Sequence, residues 1–495
     1  MKKISESLKL KGILLTGILL RLYYILATPV IQSRQYDLGS AVPEEGIFTG
    51  HLGYIFYLFT NKGLPDFDPR EVYQFFHPPL HHTLSALWMG VVSLFIENRD
   101  VWIEWLQALP FVYSVLILLI IRQICKELGL QGKTLLIVMM IVVFHPNLIF
   151  MAGSINNDCL SLLFQFAVVW MALRWYKERN YKNILGIALT ISFGMLTKLS
   201  VGMFAIPVAF LFLYVLITEW QEKVKAARTA VHADGDARSD AKTSGTSVNV
   251  WCHLPWKRIK QYVVFGIVCV PIGLAWAVRC LIRFGMPLTY VNKLPEQSWQ
   301  YVGNYSLVER FVPNVPGIIN NLLHGSLGYG ENVWVQLFRT AALGECDLST
   351  FPLWGKLVAL MMIALAFLVA TWAFVLLLRV FLVGKKADYP VLDMGIRCFW
   401  LIGYAVLFIS YLNFCYNYPH QCTMNFRYMV PTVLFPAVAA GIAMQRAEND
   451  AELPQNENTQ AAIGKHKRWC TAFSWLTAAY AVTSILTIIV WCIAV

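Results

Sequence analysis

The chain is a succession of apolar runs, most of them about as long as a hydrocarbon bilayer is thick, and this leaves few folds open to it. A helix crosses a hydrocarbon core of about 30 Å with roughly 20 apolar residues. Such runs fall at about 12–30, 102–121, 134–152, 159–174, 184–197, 200–218, 262–284, 356–379, 398–414, 428–445 and 470–494. The run at 184–197 is short and interrupted by glycine. Composition agrees: 57% of the 495 residues are hydrophobic and 14% charged, against about 25% charged in soluble domains. The expected fold is an all-α polytopic membrane protein. The stretch from Met1 to Val30 has four lysines, then an apolar run without a small-residue cleavage site, and reads as a retained first span.

Charge sets the expected topology. The loops 1–11, 122–133, 174–182, 219–260, 379–397 and 446–468 hold most of the 40 Lys and Arg. They lie on one side of the membrane if the further apolar segment 80–96 does not cross. If it crosses, every later basic loop moves opposite the basic N-terminus. The positive-inside rule therefore favours a cytosolic N-terminus, with 80–96 lying in the outer interface. The same rule accounts for the net charge of +11 better than nucleic-acid binding does. Two polar stretches, 225–249 and 446–469, read as disordered cytosolic linkers, the second leading to a last span at 470–495. The eleven cysteines have no CxxC or zinc-like spacing. Cys346 and Cys422 both fall outside, paired or as two free thiols.

Two long outer loops remain, 31–101 and 285–354, both rich in aromatics and expected to fold onto the span ends. The first begins RQYDLG, placing Asp37 just past the first span between Arg34, Tyr36 and Gly39. A carboxylate beside a basic group stays ionised and can accept a proton from a hydroxyl. Glu44 and Glu45 follow; with Tyr36, Asn157 and Tyr428 they are candidate substrate contacts. Asn156, Asn157 and Asp158 crowd a tight outer turn, where Asp158 is either an N-cap of the span from Cys159 or part of a site. Lys198 and Arg427 stand at membrane depth, where a cation needs an anionic partner. That partner is a lipid headgroup, an internal carboxylate, or the phosphate of a lipid-linked substrate. In YQFFHPPLHHTLSALWM, Pro78 and Pro79 suit the start of a helix whose Leu80, Leu84, Leu87 and Trp88 share one face, with His77 at its entrance. His81, His82 and Ser85 on its first turns suit a partly wet position.

These motifs resemble the integral membrane glycosyltransferases of the GT-C fold, which take a sugar from a polyprenyl-phosphate carrier. The resemblance rests on Asp37, His77-Pro78-Pro79-Leu80, Asn157-Asp158, Leu196-Thr197-Lys198 and Phe426-Arg427-Tyr428 with Pro431, in order along residues 10–445. Protein O-mannosyltransferases and lipid A aminoarabinose transferases are the best-known relatives. The resemblance implies a catalytic unit over 1–445, with Asp37 as catalytic base, Asp158 shaping the site and His77 on the carrier phosphate, joined by Lys198 and Arg427. It implies a polyprenyl-phosphate-sugar donor, a glycan, lipid or protein acceptor and membrane lipids as surroundings; in-line attack on such a donor implies inversion, and the loop charges put the transfer on the outer face of the plasma (inner) membrane. No cofactor is required, although Asp37 and Asp158 could share a divalent metal. Two departures stand out. Asp37 is followed by Leu38 where the O-mannosyltransferases have Asp-Glu, which counts against a protein hydroxyl as acceptor, and His77 stands where Lys is usual, tying phosphate contact to protonation or a neutral N–H. The rival readings are a transporter or flippase, and a polymerase or ligase, of lipid-linked glycans.

Overall fold

The computed structural model describes the chain except residues 1–4, 31–34, 237–249, 314–315, 317–329, 346–350, 385–388, 390–391, 452–456 and 495. Among the described residues, nine helices are long and apolar enough to cross a membrane. In hydrocarbon a helix satisfies every backbone group within itself, which is why apolar runs of this length become helices. The spans Asp158–Lys177 and Val430–Asn449 are the most enclosed by their neighbours and form the centre of the bundle. Spans such as Glu6–Ala27 and Trp256–Phe284 line its outside, with apolar side chains left for lipid.

Two of the eleven expected spans are shorter than a bilayer. The run at 134–152 is a helix only over Gly132–Val143; the chain then breaks at His145 and restarts as Pro146–Phe150. Pro146 has no N–H to continue the first helix, but suits the first position of the next. Tyr181–Met195 has 15 residues, about 22 Å of helix. The polar stretches expected as linkers are partly helical. Ala205–Asp236 runs unbroken past residue 225, Leu434–Ala451 past 446, and the last helix begins at Glu457. Alanine-rich sequence explains this, since Ala is the best helix former. Residues 237–249 and 452–456 of those stretches lie outside the described residues, as does Cys346.

The first outer loop folds as a unit with its own core. A hairpin pairs Ser40–Val42 with Ile47–Thr49, followed by the helices Gly50–Asn61, Leu80–Ser93 and Arg99–Trp105. Leu52, Tyr54, Ile55, Phe56, Phe75 and Met89 pack together between them. Leu80–Ser93 has 14 residues, about 21 Å, too short to cross. The leucine face looks away from the protein, and the opposite face is not wet. Leu84, Leu87 and Val91 point outward, while His81, His82, Ser85 and Met89 are buried, so the two histidines are not in a wet position.

Candidate active site

Asp37 is fixed by the start of the helix Gly50–Asn61. The first N–H groups of a helix have no partner inside it. Here Gly50 N–H donates to the Tyr73 carbonyl (3.0 Å), His51 N–H to that of Asp37 (3.1 Å) and Leu52 N–H to that of Leu38 (2.9 Å). The chain reaches that position through a left-handed turn, with Asp37 at φ 54° and Gly39 at φ 70°. Gly39 lies directly on the backbone of Thr49 and Gly50, where a Cβ would fall 2.0 Å from the Thr49 oxygen.

Its carboxylate then meets two donors. Tyr73 Oη donates to Oδ1 at 2.7 Å and Arg427 Nη2 to Oδ2 at 2.9 Å. Burial by itself would raise this carboxyl. The Arg427 charge and the two hydrogen bonds outweigh it and hold Asp37 well below the usual carboxylate range. Arg427 has a side chain only 5% exposed. Its Nη2 also donates to Tyr428 Oη (2.9 Å), its Nη1 lies 3.8 Å from Asp158, and its plane rests on the Tyr36 and Tyr428 rings.

Asp158 pairs with Lys198 and accepts from Asn156 Nδ2 at 3.1 Å. It is the first residue of its helix, but its carboxylate does not cap it; the N-cap is Asn157, without a side-chain bond to the helix. Asn157 instead donates Nδ2 to the Thr197 carbonyl at 2.9 Å, and Leu80 N–H donates to that of Leu196 at 3.0 Å. The Asn-Asp turn and the Pro-Pro-Leu segment thus both hold the backbone that presents Lys198. Beside His77, Pro78 and Pro79 have no N–H, and the first that follows is the one taken up by the Leu196 carbonyl.

These groups share one cavity of about 630 Å³, walled by Asp37, His77, Asn157, Asp158, Lys198, Arg427 and Tyr428. Leu162, Met203, Leu407 and Pro431 line an apolar part of it, and Tyr290 and Asn292 come from the second outer loop. A column of imidazoles flanks the acids. His77 stacks on His51 (5.4 Å) and His51 on His82 (5.2 Å), with His51 Nδ1 and His82 Nε2 hydrogen-bonded at 2.9 Å. Burial lowers all of them, His51 to about 3, and His77 and His82 well below the ordinary value. Behind them His81 Nε2 pairs with the Ile155 carbonyl at 2.8 Å.

Of the residues expected from sequence, Asp37, Asp158, His77, Lys198, Arg427, Asn157 and Tyr428 meet here, and Tyr36 supports Arg427 from behind. Glu44 and Glu45 do not. Glu44 pairs with Arg99 at 3.0 Å on the exposed rim of the loop and Glu45 sits on the neighbouring 3-10 turn, so neither lines the cavity. Sequence reasoning missed His51, which lies in an apolar helix with no motif around it, and the part of Tyr73, one of three aromatics close together. Asp37 and Asp158 do not suit a shared divalent cation. A guanidinium or ammonium already engages each of them, and no group of three His, Cys, Asp or Glu among the described residues is placed to hold a metal.

Residues 77–233 match the family model described as dolichyl-phosphate-mannose-protein mannosyltransferase. The matched stretch begins at His77 and takes in Asp158 and Lys198. No curated protein matches the chain. Among solved structures it is similar to ArnT from Cupriavidus metallidurans bound to undecaprenyl phosphate, with 12% identity over 98% of this chain and 77% of that one and a TM-score of 0.45. It is also similar to the oligosaccharyltransferase of Archaeoglobus fulgidus in the apo form, with 14% identity over 96% of this chain and 55% of that one and a TM-score of 0.49. Likenesses at this level carry no residue roles.

Proposed function

We propose that the protein is a GT-C glycosyltransferase that moves a sugar from a polyprenyl-phosphate carrier to a hydroxyl acceptor at the outer face of the plasma membrane. One observation carries this reading. Two carboxylates and two cations from four distant segments converge on one cavity that is polar at their end and apolar at another. A lipid-linked phosphate needs both environments. The family match over residues 77–233 supports the same reaction class. The charge asymmetry of the loops supports a cytosolic N-terminus and an outward-facing site.

In this reading the prenyl chain lies along Leu162, Met203 and Leu407, and the phosphate lies near Lys198, Arg427 and His77. The acceptor oxygen attacks the anomeric carbon as the bond from that carbon to the phosphate oxygen breaks. The bonding pair leaves with the phosphate, stabilised by the cations, and the hydroxyl proton passes to Asp37. A carboxylate held so low is a weak base, which suits a proton transferred late, once the new bond has made the hydroxyl acidic. Attack in line with the leaving group inverts the anomeric centre. The test is release of radiolabelled sugar from a panel of polyprenyl-phosphate sugars by protein in lipid. Loss of a positioned base typically costs ~10²- to ~10⁴-fold in rate, so Asp37→Asn should fall by that order and still bind carrier. Equal activity of Asp37→Asn, or consumption of no donor, overturns the reading.

A further inference from the structure

Among the described residues that line the cavity, the full charges balance before any ligand arrives, with Glu345 acting on Arg427 from beyond the lining. Lys198 is spent on Asp158, and Arg427 on Asp37 with Asp158 close by, so two cations face two carboxylates. Lys198 can turn from Asp158 toward a phosphate, but the sum stays the same. A phosphodiester brings another negative charge into a partly closed, largely apolar cavity, and an uncompensated buried charge is costly.

His77 is the lining imidazole that faces Lys198, Asp158 and Asp37, whereas His420, also on the wall, turns its Nε2 to the Pro295 carbonyl at 3.4 Å. Its ring is half-buried, lines the cavity and makes no hydrogen bond with any described residue. His51 and His82 lie deeper and are tied to each other. The groups facing His77 are His51 with His82 behind it, Lys198, Asp158 and Asp37, while Tyr290 packs on the adjoining Phe76. Desolvation, helped by His51 and Lys198, keeps the free imidazole neutral. A phosphate alongside reverses that balance.

We infer that the carrier phosphate enters this site together with a proton, which His77 takes up. The inference rests on the transferase reading above and adds to it a regulation of donor binding by outside pH. One linked proton makes the dissociation constant rise tenfold per pH unit wherever His77 is neutral when free and charged when bound.

The experiment is titration calorimetry of the full chain in nanodiscs at pH 7.5, with a polyprenyl methyl phosphodiester as the probe. A diester carries one charge throughout, unlike a monoester, whose second ionisation lies near ~6. Buffers of different ionisation enthalpy report the protons exchanged. Wild type should take up close to one proton per probe bound. His77→Gln should bind more weakly with no uptake, and His77→Lys should bind with no uptake and little pH dependence. Binding to wild type without uptake, or uptake unchanged in His77→Gln and His77→Lys, overturns the inference and leaves the transferase reading intact. No binding of the diester together with no donor consumed overturns both.

Discussion

Arg427→Lys isolates what the guanidinium does, because it keeps the charge and removes the fork. Arg427 serves Asp37 and Tyr428 from one nitrogen at 2.9 Å each, and faces Asp158 from another at 3.8 Å. A lysine ammonium reaches one carboxylate and loses the planar contact with Tyr36 and Tyr428. A lost hydrogen bond to a charged group costs about 1.5–3 kcal/mol, or ~10- to ~150-fold in rate if it acts in the transition state. Arg427→Ala would be a poorer test, since breaking a buried pair costs about 3–5 kcal/mol and endangers the fold. The assay is sugar release per folded molecule, with kcat and KM separated, beside thermal unfolding in the same lipid. We expect kcat/KM to fall within that range. Combined with Asp37→Asn, the loss should be much less than additive, because the two side chains act as one unit. Arg427→Lys with wild-type kcat/KM, or a double variant that is fully additive, would show that the guanidinium does not work through Asp37.

Asp37 is held below the usual carboxylate range, so its contribution to stability is complete above its unfolded pKa of about 3.9 and is lost only as pH falls through its lower folded value. The kcat at saturating donor should therefore have no carboxylate limb between pH 5 and 8, and a limb there that Asp37→Asn abolishes would contradict this. Gly39→Ala combines φ 70° with a Cβ 2.0 Å from the Thr49 oxygen, so it should lower the unfolding midpoint and the sugar-release rate together; wild-type values for both would mean the crossing is loose. Glu44→Ala should leave sugar release within twofold of wild type, since Glu44 is 67% exposed and paired with Arg99 on the rim; a large loss would return it to the site.

The spans were legible because hydropathy over twenty residues is a large signal that context seldom reverses. The exceptions came where backbone chemistry interrupts that signal, as at His145-Pro146, or where polar composition hides helix propensity, as in the alanine-rich segment past residue 225. The charges of the loops suggested that 80–96 does not cross, and the helix there is too short to do so, but its histidines are buried rather than partly wet. Leucine spacing reveals which residues share a side, but not whether that side meets protein or lipid. In a membrane protein both are apolar, so His81 and His82 could be packed inward against Ile155 and Tyr54 while Leu84 and Leu87 stayed outside.

The site was legible for a different reason: charged side chains at membrane depth are costly, so each one that persists demands a partner. Lys198 and Arg427 were conspicuous on that ground, Asp37 and Asp158 by their polar neighbours next to the span ends, and they turn out to be one another's partners. What sequence could not supply was the backbone that aims them. Leu80 N–H on the Leu196 carbonyl, Asn157 on that of Thr197 and His51 N–H on that of Asp37 are bonds to main-chain oxygens, which any residue type provides. The short motifs are individually unspecific because each contributes one side chain and one such bond. In combination they converge on one cavity, and the backbone just before Lys198 is held by Leu80, more than a hundred residues earlier in the chain.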